Sequence, residues 1–178
     1  MTAPIGLFYG STTCYTEMIA ERIQELAGKD RIDINNISQT PVNKIVLYEY
    51  IIFGIPTWDY GELQEDWDII WDELDELDLR GKTVAIFGLG DQIGYGQWFQ
   101  DAIGYLAIQV ESCGAELVGH WPNIGYEFEA SKGLTPDSSH FFGLALDEEN
   151  QADQSEDRLK KWLSQLQMPG LGQELRKD

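Results

Sequence analysis

Two segments, YIIFGIP (50–56) and KTVAIFGLG (82–90), are apolar at almost every position and stop at proline or glycine. A strand with one wet face alternates apolar and polar residues. A strand that is apolar throughout must be covered on both faces, which is the situation of a parallel sheet with helices on either side. The segments around these two agree. IGLFYG (5–10) and RIDINNI (31–37) are further strands. TCYTEMIAERIQELAG places Ile19, Ile23, Leu26 and Ala27 at helical spacing and closes at Gly28. Leu63, Trp67, Ile70, Trp71 and Leu74 form one face of a second helix, WFQDAIGYLAIQVESCG is a third, and Leu159, Trp162, Leu163 and Leu166 stripe a last helix capped by Ser155. AELVGHW (115–121) and FFGLAL (141–146) are strand-like pieces separated by about twenty irregular residues. The pattern predicts one doubly wound α/β domain, a parallel sheet with helices on both faces, over 1–168, with a loose tail over 169–178.

Charge narrows the function classes. The 178 residues carry a formal charge of −19, and Glu62 to Leu79 holds nine acidic residues and no basic one. Such a surface repels nucleic acid and anionic membrane and favours a basic partner. Cys14 and Cys113 have neither metal-ligand nor disulfide-framework spacing, the N-terminus lacks a signal-peptide pattern, and no run is apolar long enough to span a bilayer. These features predict a soluble cytoplasmic protein. Two isolated histidines, His120 and His140, offer no metal site.

In doubly wound sheets ligands bind beyond the carboxyl ends of the strands, where strand order reverses. The loops at issue are 10–16, 56–62, 88–97 and the one after 146. GSTTCYT (10–16) joins a strand to a helix start, where free N–H groups and the helix dipole favour a phosphate, and Ser11, Thr12, Thr13 and Thr16 add hydroxyls. It has no lysine, so it is not a Walker loop, nor is it a dinucleotide fingerprint; a simple cluster of capping hydroxyls is the alternative. In GIPTWDYGE (54–62), Trp58 and Tyr60 stand just past a strand end, fitting either a packed core or a flat ligand. In GLGDQIGYGQW (88–98) four glycines permit close backbone approach, and Tyr95 faces Trp58 across the switch point.

These loops resemble those of the flavodoxins, which bind FMN. PTWDYGELQEDW, GLGDQIGYGQWFQDA and FFGLALDEENQ carry the likeness, which covers nearly the whole chain. The break between AELVGHW and FFGLAL resembles the insertion of long-chain flavodoxins, and in detail the chain is similar to the second, accessory flavodoxin of bacteria. The resemblance implies a five-stranded sheet of order 2-1-3-4-5, its last strand split by the insertion. It implies that Ser11, Thr12, Thr13, Cys14, Tyr15 and Thr16 hold the FMN phosphate. Pro56, Thr57, Trp58, Asp59, Tyr60 and Gly61 form one side of the ring site, and Gly88, Leu89, Gly90, Asp91, Tyr95 and Gln97 the other. Trp58 and Tyr95 stack on the two ring faces, Asp91 meets the pyrimidine edge and Asp147 the ribityl chain. The family writes its phosphate loop T-x-T-G-x-T; here Cys14 stands at the glycine, either as a packing residue or as a redox-sensitive thiol.

The function implied is low-potential one-electron transfer by non-covalently bound FMN, cycling between neutral semiquinone and anionic hydroquinone, with the Asp59–Tyr60 peptide turning to offer a carbonyl. It is not an enzyme. The implied partners are a basic-faced NAD(P)H-dependent ferredoxin/flavodoxin reductase and reductively activated acceptor enzymes, and the chain is expected to be a monomer. The alternative is a flavodoxin-like NAD(P)H:quinone oxidoreductase. A phosphoacceptor receiver domain shares the topology but wants an acidic cluster at the first strand end and an aspartate after the third; FYGSTT and GIPTWD offer neither, since Asp59 lies beyond the turn. Tyr126 and Phe128 are expected to anchor the insertion, 122–141.

Overall fold

The computed structural model describes residues 2–172. Its parallel sheet is built from β1 (Ile5–Tyr9), β2 (Ile32–Asn36), β3 (Tyr50–Trp58) and β5 (Thr83–Leu89), in the order β2-β1-β3-β5. A two-residue β4 (Glu62–Leu63) folds back antiparallel on β3. The fifth position is shared. β6 (Glu116–Val118) pairs with Thr83–Ala85, and β9 (Leu144–Leu146) continues the same line along Phe87–Leu89. The expected split last strand is therefore two short strands end to end, giving the expected order.

Side chains along the apolar strands alternate between two cores, as two-sided coverage requires. Ile51, Phe53 and Ile55 of β3, with Val84 and Ile86 of β5, pack under α2 (Glu65–Asp75) and α3 (Asp101–Ser112). Ile52, Ala85 and Phe87 point the other way, under α1 (Tyr15–Ala27) and α4 (Ser155–Gln165). Trp67 and Trp162 are fully buried, one in each core, and donate their indole N–H groups to Gly54 O (3.1 Å) and Gly119 O (2.8 Å). Met168 and Leu171 also pack into the second core; of the expected tail, 173–178 lie outside the described residues.

Three helix starts differ from expectation. Leu63, expected on the face of the second helix, lies in β4, paired with Thr57, and α2 begins only at Glu65. α3 begins at Asp101 rather than near Trp98, because Gln100 adopts a left-handed conformation (φ 61°) and Ala102 N–H is capped by Thr57 Oγ1 at 3.0 Å. Ser155 is the first residue of α4 rather than its cap. A 3₁₀ turn (Ala152–Gln154) runs straight into the helix, so Ser155 is already helical (φ −62°, ψ −42°) and its hydroxyl bonds Glu148 instead.

The insertion is packed. β7 (Trp121–Pro122) and β8 (His140–Phe141) form a small antiparallel ladder. Phe128 stacks on Phe99 with centroids 5.2 Å apart, and Tyr126 donates to Ala145 O at 2.7 Å while accepting from Trp121 Nε1 at 2.8 Å. Burial pushes the Tyr126 phenol up to about 12, so it stays a hydrogen-bonded anchor. Among the described residues no helix is long and apolar enough to cross a membrane, and no three His, Cys, Asp or Glu side chains gather to hold a metal.

Candidate functional site

The loops after β1, β3, β5 and β9 converge on one cleft of about 210 Å³, lined by Thr13, Tyr15 and Thr16, by Pro56, Thr57, Trp58 and Asp59, by Leu89, Gly90, Asp91 and Tyr95, and by Glu148 and Glu149. It lies at the carboxyl ends of the strands, beside the point where the chain runs from β1 to β2 on one side and to β3 on the other.

The 10–14 loop feeds directly into α1, whose first N–H groups have no partner within the helix. Cys14 occupies the turn in the left-handed region (φ 69°, ψ −5°), makes no side-chain cap and is exposed rather than packed. Ser11 Oγ is buried with no hydrogen-bond partner among the described residues, which suits a hydroxyl that meets a ligand oxygen. Thr12 Oγ1 accepts from Gln64 Nε2 at 3.1 Å, and Thr16 is buried. The loop holds no lysine or arginine, and the next basic residue along the chain, Arg22, is bound to Glu156 and Glu25. Nearby Tyr9 donates to Glu17 Oε1 at 3.0 Å; burial, then that carboxylate, push its phenol up to about 12. Donors gather here without a cation.

The β3–β4 hairpin presents Trp58 to the cleft and fixes it by the Trp58↔Glu62 pairing. Asp59 (φ 42°) and Gly61 (φ 84°) both lie in the left-handed region on either side of Tyr60. Close packing as well as backbone conformation calls for glycine at 61, since a Cβ there would stand 2.7 Å from Asp101 Oδ2. Tyr60 is 67% exposed and does not line the cleft; its ring packs edge-on against Trp98 at 5.0 Å and Tyr95 at 6.4 Å. The Thr57 hydroxyl is spent on the α3 cap.

On the opposite wall Asp91 Oδ1 accepts from Ile93 N (3.1 Å), Gly94 N (2.7 Å) and Asn150 Nδ2 (2.8 Å). Its carboxylate thus shapes the turn that carries Tyr95 while still edging the cleft. Asp147 is placed differently from expectation. It is fully buried, and its oxygens are taken by Gln92 and Asn150. It staples the loop after β9 to the Tyr95 loop from behind, and the next residues, Glu148 and Glu149, face the cleft instead. Gln92 also accepts from Glu127 N, and Gly96 O accepts from Glu129 and Ala130 N–H, so the insertion buttresses this loop.

Of the expected residues, the structure brings Thr13, Tyr15, Thr16, Pro56, Thr57, Trp58, Asp59, Leu89, Gly90, Asp91 and Tyr95 to one cleft. Ser11, Thr12 and Cys14 flank it in the same loop. Gly88 faces α3, where a Cβ would meet Gln100 Oε1 and Ile103 Cγ1 at 2.5 Å, and Gln97 is exposed off the cleft. Sequence reasoning missed Glu148 and Glu149, although their place immediately after a strand end was a signal.

A doubly wound fold with an aromatic-walled cleft and a cation-free anion cradle at its switch point defines a binder of flat, anionic ligands. The flavodoxin family profile matches residues 7–162, and the chain belongs to that family. It is 49% identical to Flavodoxin 2 of Escherichia coli K12 over 162 residues, 91% of this chain and 94% of that protein. It is 48% identical to a flavodoxin of Nostoc sp. over 166 residues, covering 93% and 96%. Among solved structures, Fusobacterium nucleatum flavodoxin bound to flavin mononucleotide matches with a TM-score of 0.83 at 34% identity, covering 89% of this chain and 93% of that one. The chain is accordingly an electron-transfer protein rather than an enzyme.

Proposed function

We propose that the chain binds FMN non-covalently and works as a low-potential one-electron carrier between the one-electron and two-electron reduced forms of that flavin. The observation that carries this reading is the cleft itself: Trp58 and Tyr95 on its walls, with N–H and O–H donors of 11–16 at its edge and no cation among them. The unpartnered Ser11 hydroxyl and the free start of α1 suit the FMN phosphate, and the aromatic walls suit the ring. The flavin supplies the redox chemistry when bound; the protein's part is to hold it and to set its surroundings. Asp59, Asp91, Glu148 and Glu149 rim the cleft. A unit negative charge about 10 Å from the ring opposes one added electron by about 1.7 kcal/mol at an effective dielectric of ~20, or about 70 mV. Full reduction is therefore pushed to low potential. The carbonyl of Asp59, itself left-handed and followed by Tyr60 and the left-handed Gly61, would accept a hydrogen bond from the ring N5–H once that nitrogen is protonated.

The acidic run of α2 steers basic-faced partners, of which an NAD(P)H-dependent ferredoxin/flavodoxin reductase is the donor and reductively activated enzymes are the acceptors. The protein acts as a cytoplasmic monomer. Anaerobic stepwise reduction followed by visible absorbance tests the central reading. A blue one-electron species that bleaches only at low potential is expected. Bleaching in a single two-electron step, together with steady-state NADH oxidation by the protein alone, would instead indicate a quinone reductase.

A further inference from the structure

Gln64 lies outside the cleft, yet it sits between the anion loop and the aromatic loop. It follows β4 directly and precedes α2, where its carbonyl accepts from Asp68 N at 3.0 Å. Its side chain is buried, 2% exposed. Nε2 donates to Thr12 Oγ1 at 3.1 Å, across 52 residues of sequence, and to Asp66 Oδ2 at 2.8 Å. The amide oxygen has no partner among the described residues and lies against Gly10, where any Cβ would stand 2.4 Å from it. A buried amide with one end unsatisfied costs stability that an apolar side chain of the same size would not. What this glutamine supplies, and leucine cannot, are the N–H groups to Asp66 and Thr12, and only the second reaches the anion loop.

We propose that Gln64 is a positioning residue for the anion loop. A hydroxyl has one hydrogen to donate and lone pairs to accept. By filling a lone pair of Thr12 Oγ1, Gln64 leaves the hydroxyl hydrogen free to turn outward to a phosphate oxygen. The same amide is fixed to the β4–α2 corner, which continues the hairpin carrying Trp58. Phosphate held through Thr12 therefore stiffens the aromatic loop as well. This inference rests on the FMN reading above.

The test compares FMN with riboflavin, which has the same ring and no phosphate, by fluorescence quenching on titration of the apoprotein. Gln64→Leu should weaken FMN about tenfold, the scale of one hydrogen bond to a charged group, and leave riboflavin within about twofold. Thr12→Val, at an exposed position that does not endanger folding, should do the same, Thr12→Ser should restore FMN affinity, and the double variant should be no weaker than Thr12→Val alone. Equal weakening of both ligands by Gln64→Leu, or a Thr12→Val variant with wild-type discrimination, overturns the proposal while leaving the cradle intact. A wild-type protein that binds FMN no more tightly than riboflavin overturns the cradle itself.

Discussion

Cys14 holds a backbone conformation that glycine adopts freely and other residues resist. At φ 69° and ψ −5° its Cβ crowds the following carbonyl, which costs roughly 1–2 kcal/mol. Nothing in its side chain offsets this, for the thiol is exposed and makes no cap hydrogen bond. Cys14→Gly removes the strain but frees the unfolded chain, which takes back about 0.4–1 kcal/mol. The expected net is a stabilisation of about 0.5–1 kcal/mol, or a rise in Tm of about 1–4 °C for a domain of this size. Cys14→Ala keeps a Cβ and hence the strain, and should leave stability within about 0.5 kcal/mol of wild type. Urea unfolding of the three apoproteins, with m held as a check on two-state behaviour, measures the difference. If the glycine variant is no more stable than the alanine variant, the reasoning from φ is wrong and the loop relaxes without strain.

Gly104 of α3 lies so close to the insertion that a Cβ would stand 2.0 Å from Lys132 O, so Gly104→Ala should lower the urea-derived stability by about 1–3 kcal/mol; wild-type stability would show that the insertion yields freely. Asp137 accepts from Ser139 Oγ and Thr135 Oγ1 at 2.7 Å, and these bonds lower its carboxyl to about 2. Since the folded value lies below the unfolded one, the turn's contribution is complete above about pH 4 and fades as pH falls toward 2. Amide chemical shifts of Ser139 and His140 followed through that window should titrate, and a midpoint near 4 would refute the bonding. Replacing Asp68, Asp72 and Glu73 of α2 by their amides should flatten the ionic-strength dependence of electron transfer with a reductase; an unchanged slope would place the steering charges elsewhere.

The architecture was legible because a two-sided apolar strand admits few environments. Ile51, Ile52 and Phe53 are consecutive, and all three are fully buried, so only a sheet covered twice could accept them. The three loops were legible for the same topological reason, since they had to meet at one edge. What escaped were polar side chains whose role depends on a partner far away in sequence. Nothing local marks Gln64 as the support of Thr12 or Gln92 as the link between Asp147 and Glu127. Asp147 and Glu148 show the limit most sharply. Strand alternation orients side chains through Leu146, but parity lapses where pairing ends, so three acidic residues in a row could not be sorted into one buried staple and two residues that line the cleft.

That sorting matters for how the charge of −19 acts. Glu148 and Glu149 line the cleft, whereas no residue of α2 does. The Coulomb energy of a ring electron falls with distance, so the rim carboxylates weigh on its potential while the exposed α2 carboxylates are screened within about 10 Å at ordinary ionic strength. Encounter, in contrast, senses the summed field of a whole face. Glu149→Gln should therefore raise the potential of the fully reduced couple by tens of millivolts, of the order of the ~70 mV worked for one charge about 10 Å away, with little change in association rate. Amide substitutions on α2 should do the reverse. Spectroelectrochemical titration beside stopped-flow association rates separates the two, and a common shift of both quantities by either set would mean that the acidic surface acts as one undivided field.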